Sequence, residues 1–206
     1  LHYSSLGVIA ISGGSPYAFQ CAHDIPTRIR YVASLSGWVS YSRPEVNHIK
    51  LDKFMSAYGW CARYLRFASK VMGYQVGWVI RNRTDAMLRH MMHTLPASDI
   101  TILSQEKYRR IFVEDLLNMS KQGWEGGEHD AYLQFSEATY ALQNVRQPAY
   151  LLHGDADTIA PFGFSEYLNA SLPRVVEFAR IPKGGHLCAV TELPRIFKAL
   201  HQMEAI

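Results

Sequence analysis

Residues 6–11 (LGVIAI) carry no charge and run directly into Ser12–Gly13–Gly14, and a segment of helical composition, Pro16–His23, follows at once. An apolar run of this length closed by glycines reads as a strand buried on both faces, as in a parallel sheet. Pro16 then falls near the first turn of a helix, where a missing N–H does no harm. A second apolar run, Ile29–Leu35 (IRYVASL), closes at Ser36–Gly37. Strand, helix and strand within about thirty residues make a βαβ unit, whose two strands must be parallel. The expected fold class is therefore α/β with a mostly parallel sheet.

The rest of the chain divides by texture. From Trp38 to about Asn144 it is helix-like, over 46–72 and 85–92 and from Ser104 to near Gln122. Gly59, Gly73, Gly77 and Pro96 are expected to break the helices. Beyond that block the βα pattern resumes. Pro148–Leu152 reads as a strand ending at His153–Gly154, Phe164–Ala170 as a helix, Val175–Ile181 as a last strand and Leu193–Met203 as a closing helix. The expected organisation is a core of 1–37 and 145–206 with a helical insertion, 38–144, that acts as a cap.

Composition narrows the classes of function. With 48% hydrophobic and 12% aromatic residues, 206 residues bury a core without metal or disulfide staples. A net charge of +3 without a block of like charges gives no electrostatic case for nucleic acid. No apolar run is long enough to span a membrane. Cys21, Cys61 and Cys188 are odd in number and widely spaced, which fits reduced thiols in the cytoplasm. His90 and His93 lie three apart on a helix-like stretch, but no acid or cysteine completes a metal-ligand pattern around them, so no metal is expected.

The chemistry-bearing pattern is Ala10–Ile11–Ser12–Gly13–Gly14. A sharp strand-to-helix turn that lifts a serine clear of a sheet needs small residues two before and two after it, because larger ones collide with strand and helix. Ala10 and Gly14 meet that need. On the pentapeptide alone, Ser12 as a helix N-cap or phosphate ligand is an equal reading. Two other segments separate these readings. Asp155 and Asp157 follow the Pro148–Leu152 strand, and His186 follows the last strand. Serine, acid and histidine thus occur in that chain order, each just beyond the C-terminal end of a strand expected to be parallel, and so at one end of the sheet.

In these segments the chain resembles the α/β-hydrolase fold superfamily, in its esterase-like group. SGGSPYA is similar to that family's nucleophile turn, and GDADTIAP to its acid loop, with Ala160 where valine is usual. GGH is similar to its histidine loop, and Val113–Tyr132 to the segment that leads from cap to core. The resemblance implies Ser12 as nucleophile, Asp157 as acid, His186 as base and the Gly13 N–H as an oxyanion donor, with no cofactor. Asp155 is expected to make local turn hydrogen bonds instead. It implies a hydrolase of esters or related acyl compounds acting on a small apolar acyl substrate. The alternatives are a cofactor-free perhydrolase or C–C hydrolase on the same fold, or a non-catalytic, incomplete binding module. In the family the nucleophile strand is the fifth of eight, and an earlier loop supplies the second oxyanion donor. The expectation here is a sheet lacking its N-terminal strands, completed by a separate segment.

Overall fold

The computed structural model of the chain describes residues 3–121, 123–136 and 139–204. Residue contacts divide it into two compact units, Leu1–Val39 with Thr139–Ile206, and Ser40–Ala138.

The first unit is built on four strands, β1 (Leu6–Ile11), β2 (Ile29–Leu35), β3 (Ala149–Gly154) and β4 (Val175–Ile181). They pair in the order β1-β2-β3-β4, and every pairing is parallel. Side chains alternate across such a sheet, so its two faces can be read separately. Ala33, Leu35, Tyr150, Leu152 and Ala179 point to one face, where they pack with Ile196 and Leu200 of the C-terminal helix. The intervening positions point to the other. There Ser34 Oγ meets Ser15 Oγ of α1 (Ser15–Asp24) at 2.8 Å, and His153 meets Ser165 of α8 (Gly163–Ser171) at 2.6 Å. The sheet is thus covered on both faces, as a parallel sheet requires.

β1 departs from the expected double burial. Leu6 is 45% and Ile11 39% exposed. Among the described residues β1 pairs only with β2, so it is an edge strand. An apolar edge of this kind has unpaired backbone groups and invites a further strand.

The second unit consists of α2 (Lys53–Tyr64), α3 (Arg66–Asn82), α4 (Thr84–Met92), α5 (Ala97–Leu103), α6 (Glu106–Ser120) and α7 (Glu125–Ser136). Asp52 caps α2 by accepting the Met55 N–H at 3.0 Å. Gly59, Gly73 and Gly77 do not break helices as expected; α2 and α3 run straight through them. Close packing explains two of them, since a Cβ at Gly59 would strike the Phe135 ring and one at Gly73 the Trp124 indole, whereas one at Gly77 would meet only ordinary contacts. The lost helix propensity, about 1 kcal/mol per glycine, is offset by letting aromatic rings against the helix backbone. Glu128 on α7, nearly buried, takes both Nε and Nη2 of Arg66, at 3.1 and 3.2 Å. α9 (Cys188–Thr191) and α10 (Leu193–Glu204) close the chain in the first unit. No helix among the described residues is long and apolar enough to cross a membrane.

Candidate active site

Strand register sets the level of the site. Ile11 pairs with Leu35, Leu35 with Leu152 and Leu152 with Ala179, so these four residues form one row across the sheet. Ser12 follows Ile11 directly, Asp157 lies in the loop after β3 and His186 in the loop after β4. All three therefore belong to the C-terminal end of the parallel sheet, the end where open α/β sheets carry their ligands.

Ser12 opens a single 3₁₀ turn, Ser12–Gly14, and has φ 53°. A non-glycine residue in that left-handed region costs about 1–2 kcal/mol, and such strain concentrates at functional positions. The small flanking residues do face one another, since a Cβ built on Gly14 would lie 3.7 Å from the Ala10 Cβ. That is ordinary contact, so the turn has room for a Cβ at position 14. Gly13 occupies the middle of the same turn.

The end of β2 ties this turn to the histidine loop. The Trp38 N–H donates to the Ser12 carbonyl at 3.0 Å. Ser36, itself at φ 44°, donates its hydroxyl to the His186 carbonyl at 3.0 Å and its N–H to the Leu152 carbonyl at 2.8 Å. The backbones on either side of the candidate nucleophile and base are thus pinned to neighbouring residues of one loop. Nothing in the SLSGW segment announced this from sequence.

Asp157 is the most completely bonded group in the site. Its Oδ1 accepts the backbone N–H groups of Ile159 and Ala160, at 2.8 and 2.9 Å. Its Oδ2 lies 2.8 Å from His186 Nδ1 and 3.2 Å from His153 Nε2. An ionised carboxylate offers about four acceptor sites, and four N–H groups surround this one. Burial alone would raise its pKa, but the hydrogen bonds from His153 and His186 outweigh it and hold the carboxyl at about 2. Asp157 is therefore a buried anion near neutral pH, and His186 Nδ1 must carry a proton toward it. In the neutral ring the other nitrogen, Nε2, then carries no hydrogen.

Asp155 behaves otherwise than expected. It makes no local turn contact of the predicted kind; its Oδ1 accepts the Lys183 N–H at 2.6 Å and its Oδ2 the Arg180 Nε–H at 3.0 Å. It thereby fastens the acid loop to β4 and to the turn that leads to His186. In the sequence His153 marks only the end of a strand, yet it is fully buried and touches the acid directly.

The acid and histidine loops also meet through backbone. A Cβ at Gly154 would collide with the carbonyl groups of Gly184 and Gly185, just before His186. Backbone cannot rotate away as a side chain does. Gly154→Ala is expected to destabilise the chain by about 1–3 kcal/mol and to lower turnover further than that loss of folded protein explains. Urea unfolding and ester turnover, measured on the same samples, check both effects.

Among the described residues no group of three or more His, Cys, Asp or Glu could hold a metal ion. A shallow groove lined by Val71, Tyr74, Gln75, Trp78 and Val79 lies on α3 and includes none of the three candidate residues.

No protein-family model matches the chain. No curated protein matches it in sequence. Solved structures do match. An alpha/beta hydrolase fold protein from Nakamurella multipartita aligns over 89% of this chain and 63% of its own, at TM-score 0.58 and 18% identity. A bromoperoxidase from Bacillus anthracis aligns over 98% and 68%, at TM-score 0.63 and 18% identity. An esterase from Exiguobacterium antarcticum aligns over 97% and 66%, at TM-score 0.66 and 13% identity. The chain thus spans just under two thirds of the length of the first of these. At such identities it is the fold that is shared. The four-stranded parallel sheet, its helices and these alignments show that the chain has the α/β-hydrolase fold.

Proposed function

We propose that this chain carries the catalytic residues of a serine hydrolase that cleaves carboxylic esters or related acyl compounds. The observation that carries the reading is the buried Asp157 carboxylate bonded to His186 Nδ1 at 2.8 Å, at the sheet end where Ser12 holds a left-handed turn. A carboxylate behind an imidazole fixes its tautomer and stabilises the imidazolium that forms.

In this reading His186 Nε2 removes the Ser12 hydroxyl proton as Oγ attacks the acyl carbon. Negative charge then develops on the former carbonyl oxygen, toward the Gly13 N–H. Collapse expels the alcohol, which takes its proton from His186, and leaves an ester on Ser12. Water, deprotonated by His186, attacks that ester and frees the acid. The chemistry calls for no cofactor. A second oxyanion donor, and a strand to cover the open edge of β1, are proposed to come from polypeptide outside these 206 residues.

The test is hydrolysis of p-nitrophenyl esters from acetate to octanoate across pH. Activity should rise with pH along a single limb, because a base must be unprotonated to take the Ser12 proton. Asp157 contributes no limb above pH 4, because its carboxyl is held at about 2. A profile with a second carboxylate-like limb between pH 4 and 5 contradicts the reading. The likeness to a bromoperoxidase supports a second outcome of the same assay, perhydrolysis, in which hydrogen peroxide replaces water on the acyl-enzyme and the product is a peracid.

A further inference from the structure

The geometry points to His153 as a positioning residue that shares the triad acid with His186 and thereby sets the basicity of the catalytic imidazole. The inference rests on the hydrolase reading above and adds a residue to it.

The tautomer of His153 follows from its partners. Nε2 lies 2.8 Å from the Ala160 carbonyl, which can only accept, so Nε2 carries a hydrogen. The same N–H faces Asp157 Oδ2 at 3.2 Å, and its hydrogen is shared between the two oxygens. In the neutral ring Nδ1 is then an acceptor, and Ser165 Oγ, 2.6 Å away, donates to it. Accepting at one nitrogen strengthens donation at the other. Ser165 on α8 thus reinforces the grip of His153 on the acid.

The ring is sealed in. His153 and Asp157 side chains are both fully buried, and the Phe162 ring stands edge-on to His153 with centroids 5.8 Å apart. Beyond Phe162 lies the Arg180 guanidinium, 5.1 Å from the Phe162 centroid and paired with Asp155 at 3.0 Å. Among the described residues the ionisable group that meets His153 directly is Asp157.

The consequence concerns Oδ2. That oxygen serves two imidazole donors, and each lowers the electron density available to the other. With His153 in place, Asp157 stabilises the His186 imidazolium less than an unshared carboxylate would. His153 also blocks rotation of the carboxylate, since Oδ1 is fixed by two backbone donors and Oδ2 by two rings.

Replacing the donor tests this. The titration midpoint of the His186 Cε1–H resonance is read by NMR in the wild type, His153→Phe and His153→Gln. His153→Phe is expected to move the midpoint up by about half to one pH unit. His153→Gln, whose amide can still donate to Asp157, should recover at least half of the change. The acid limb of the rate profile should shift with the resonance. A merely structural role for His153 would change stability and leave the midpoint in place. An unmoved midpoint in folded His153→Phe overturns the inference. If His153→Phe does not fold, ¹⁵N shifts of wild-type His153 decide: the Nε2–H tautomer supports the assignment, and the Nδ1–H tautomer overturns it. Neither reading requires turnover. An inactive chain with a shifted midpoint would count against the hydrolase and not against the His153–Asp157 coupling.

Discussion

Ser12→Ala is expected to lower ester turnover by about 10⁴- to 10⁶-fold, the loss typical of a missing nucleophile, while the chain stays folded. The structural basis for retained folding is specific. Ser12 is held through its backbone carbonyl, which accepts the Trp38 N–H, and alanine keeps that bond. The turn's φ of 53° strains alanine as it strains serine. Ser12→Gly should be equally inactive but at least as stable, because glycine occupies that region without the penalty. Inactivity paired with unchanged or higher stability is what a strained catalytic turn predicts. A serine kept there only as a helix cap would show the reverse: lost stability and unchanged activity. Turnover on p-nitrophenyl esters and thermal midpoints measured on all three proteins separate the two.

Asp157→Asn carries the second large effect, expected at about 10⁴-fold in turnover with about 1–3 kcal/mol of stability. An asparagine at 157 must place one oxygen and one NH₂ where two carboxylate oxygens accept four donors. The oxygen can take the Ile159 and Ala160 N–H groups at the Oδ1 position. The NH₂ group then confronts the two ring nitrogens at Oδ2. His186 can respond by moving its proton to Nε2, which removes the base. His153 cannot respond in that way without losing its bond to the Ala160 carbonyl. One substitution therefore disables the base and leaves a buried donor facing a donor. The same wiring governs acid stability. The Asp157 pKa is lowered, so its contribution is full above the unfolded value near 4 and is lost as pH falls toward about 2.

Much of this arrangement is legible in the sequence where local pattern decides it. The runs at 29–35 and 175–181 are strands with those bounds, because β-branched and aromatic residues recur in each and proline or glycine lies close to either end. The spacing of Ser12, Asp157 and His186 from strand ends puts them at one sheet end, since strand direction follows from βαβ connections. What escapes the sequence depends on neighbours far along the chain. Gly59 and Gly73 look like helix breakers until Phe135 and Trp124 are seen against them. The edge position of β1 depends on its having one partner strand among the described residues, and its apolar composition does not reveal that. Asp155 looks like a turn residue because its bonds to Arg180 and Lys183 span 25 and 28 positions. The strand alternation places His153 on the α8 face, but only the folded loop brings Asp157 Oδ2 to it.

The proposed reaction depends on an activated Ser12, which covalent labelling detects directly. The chain and its Ser12→Ala variant are treated with a fluorophosphonate and weighed intact, with circular dichroism to show that both are folded. One adduct on the wild type that is absent from Ser12→Ala is the predicted result. An adduct that persists in the variant, or none on the folded wild type, would contradict it.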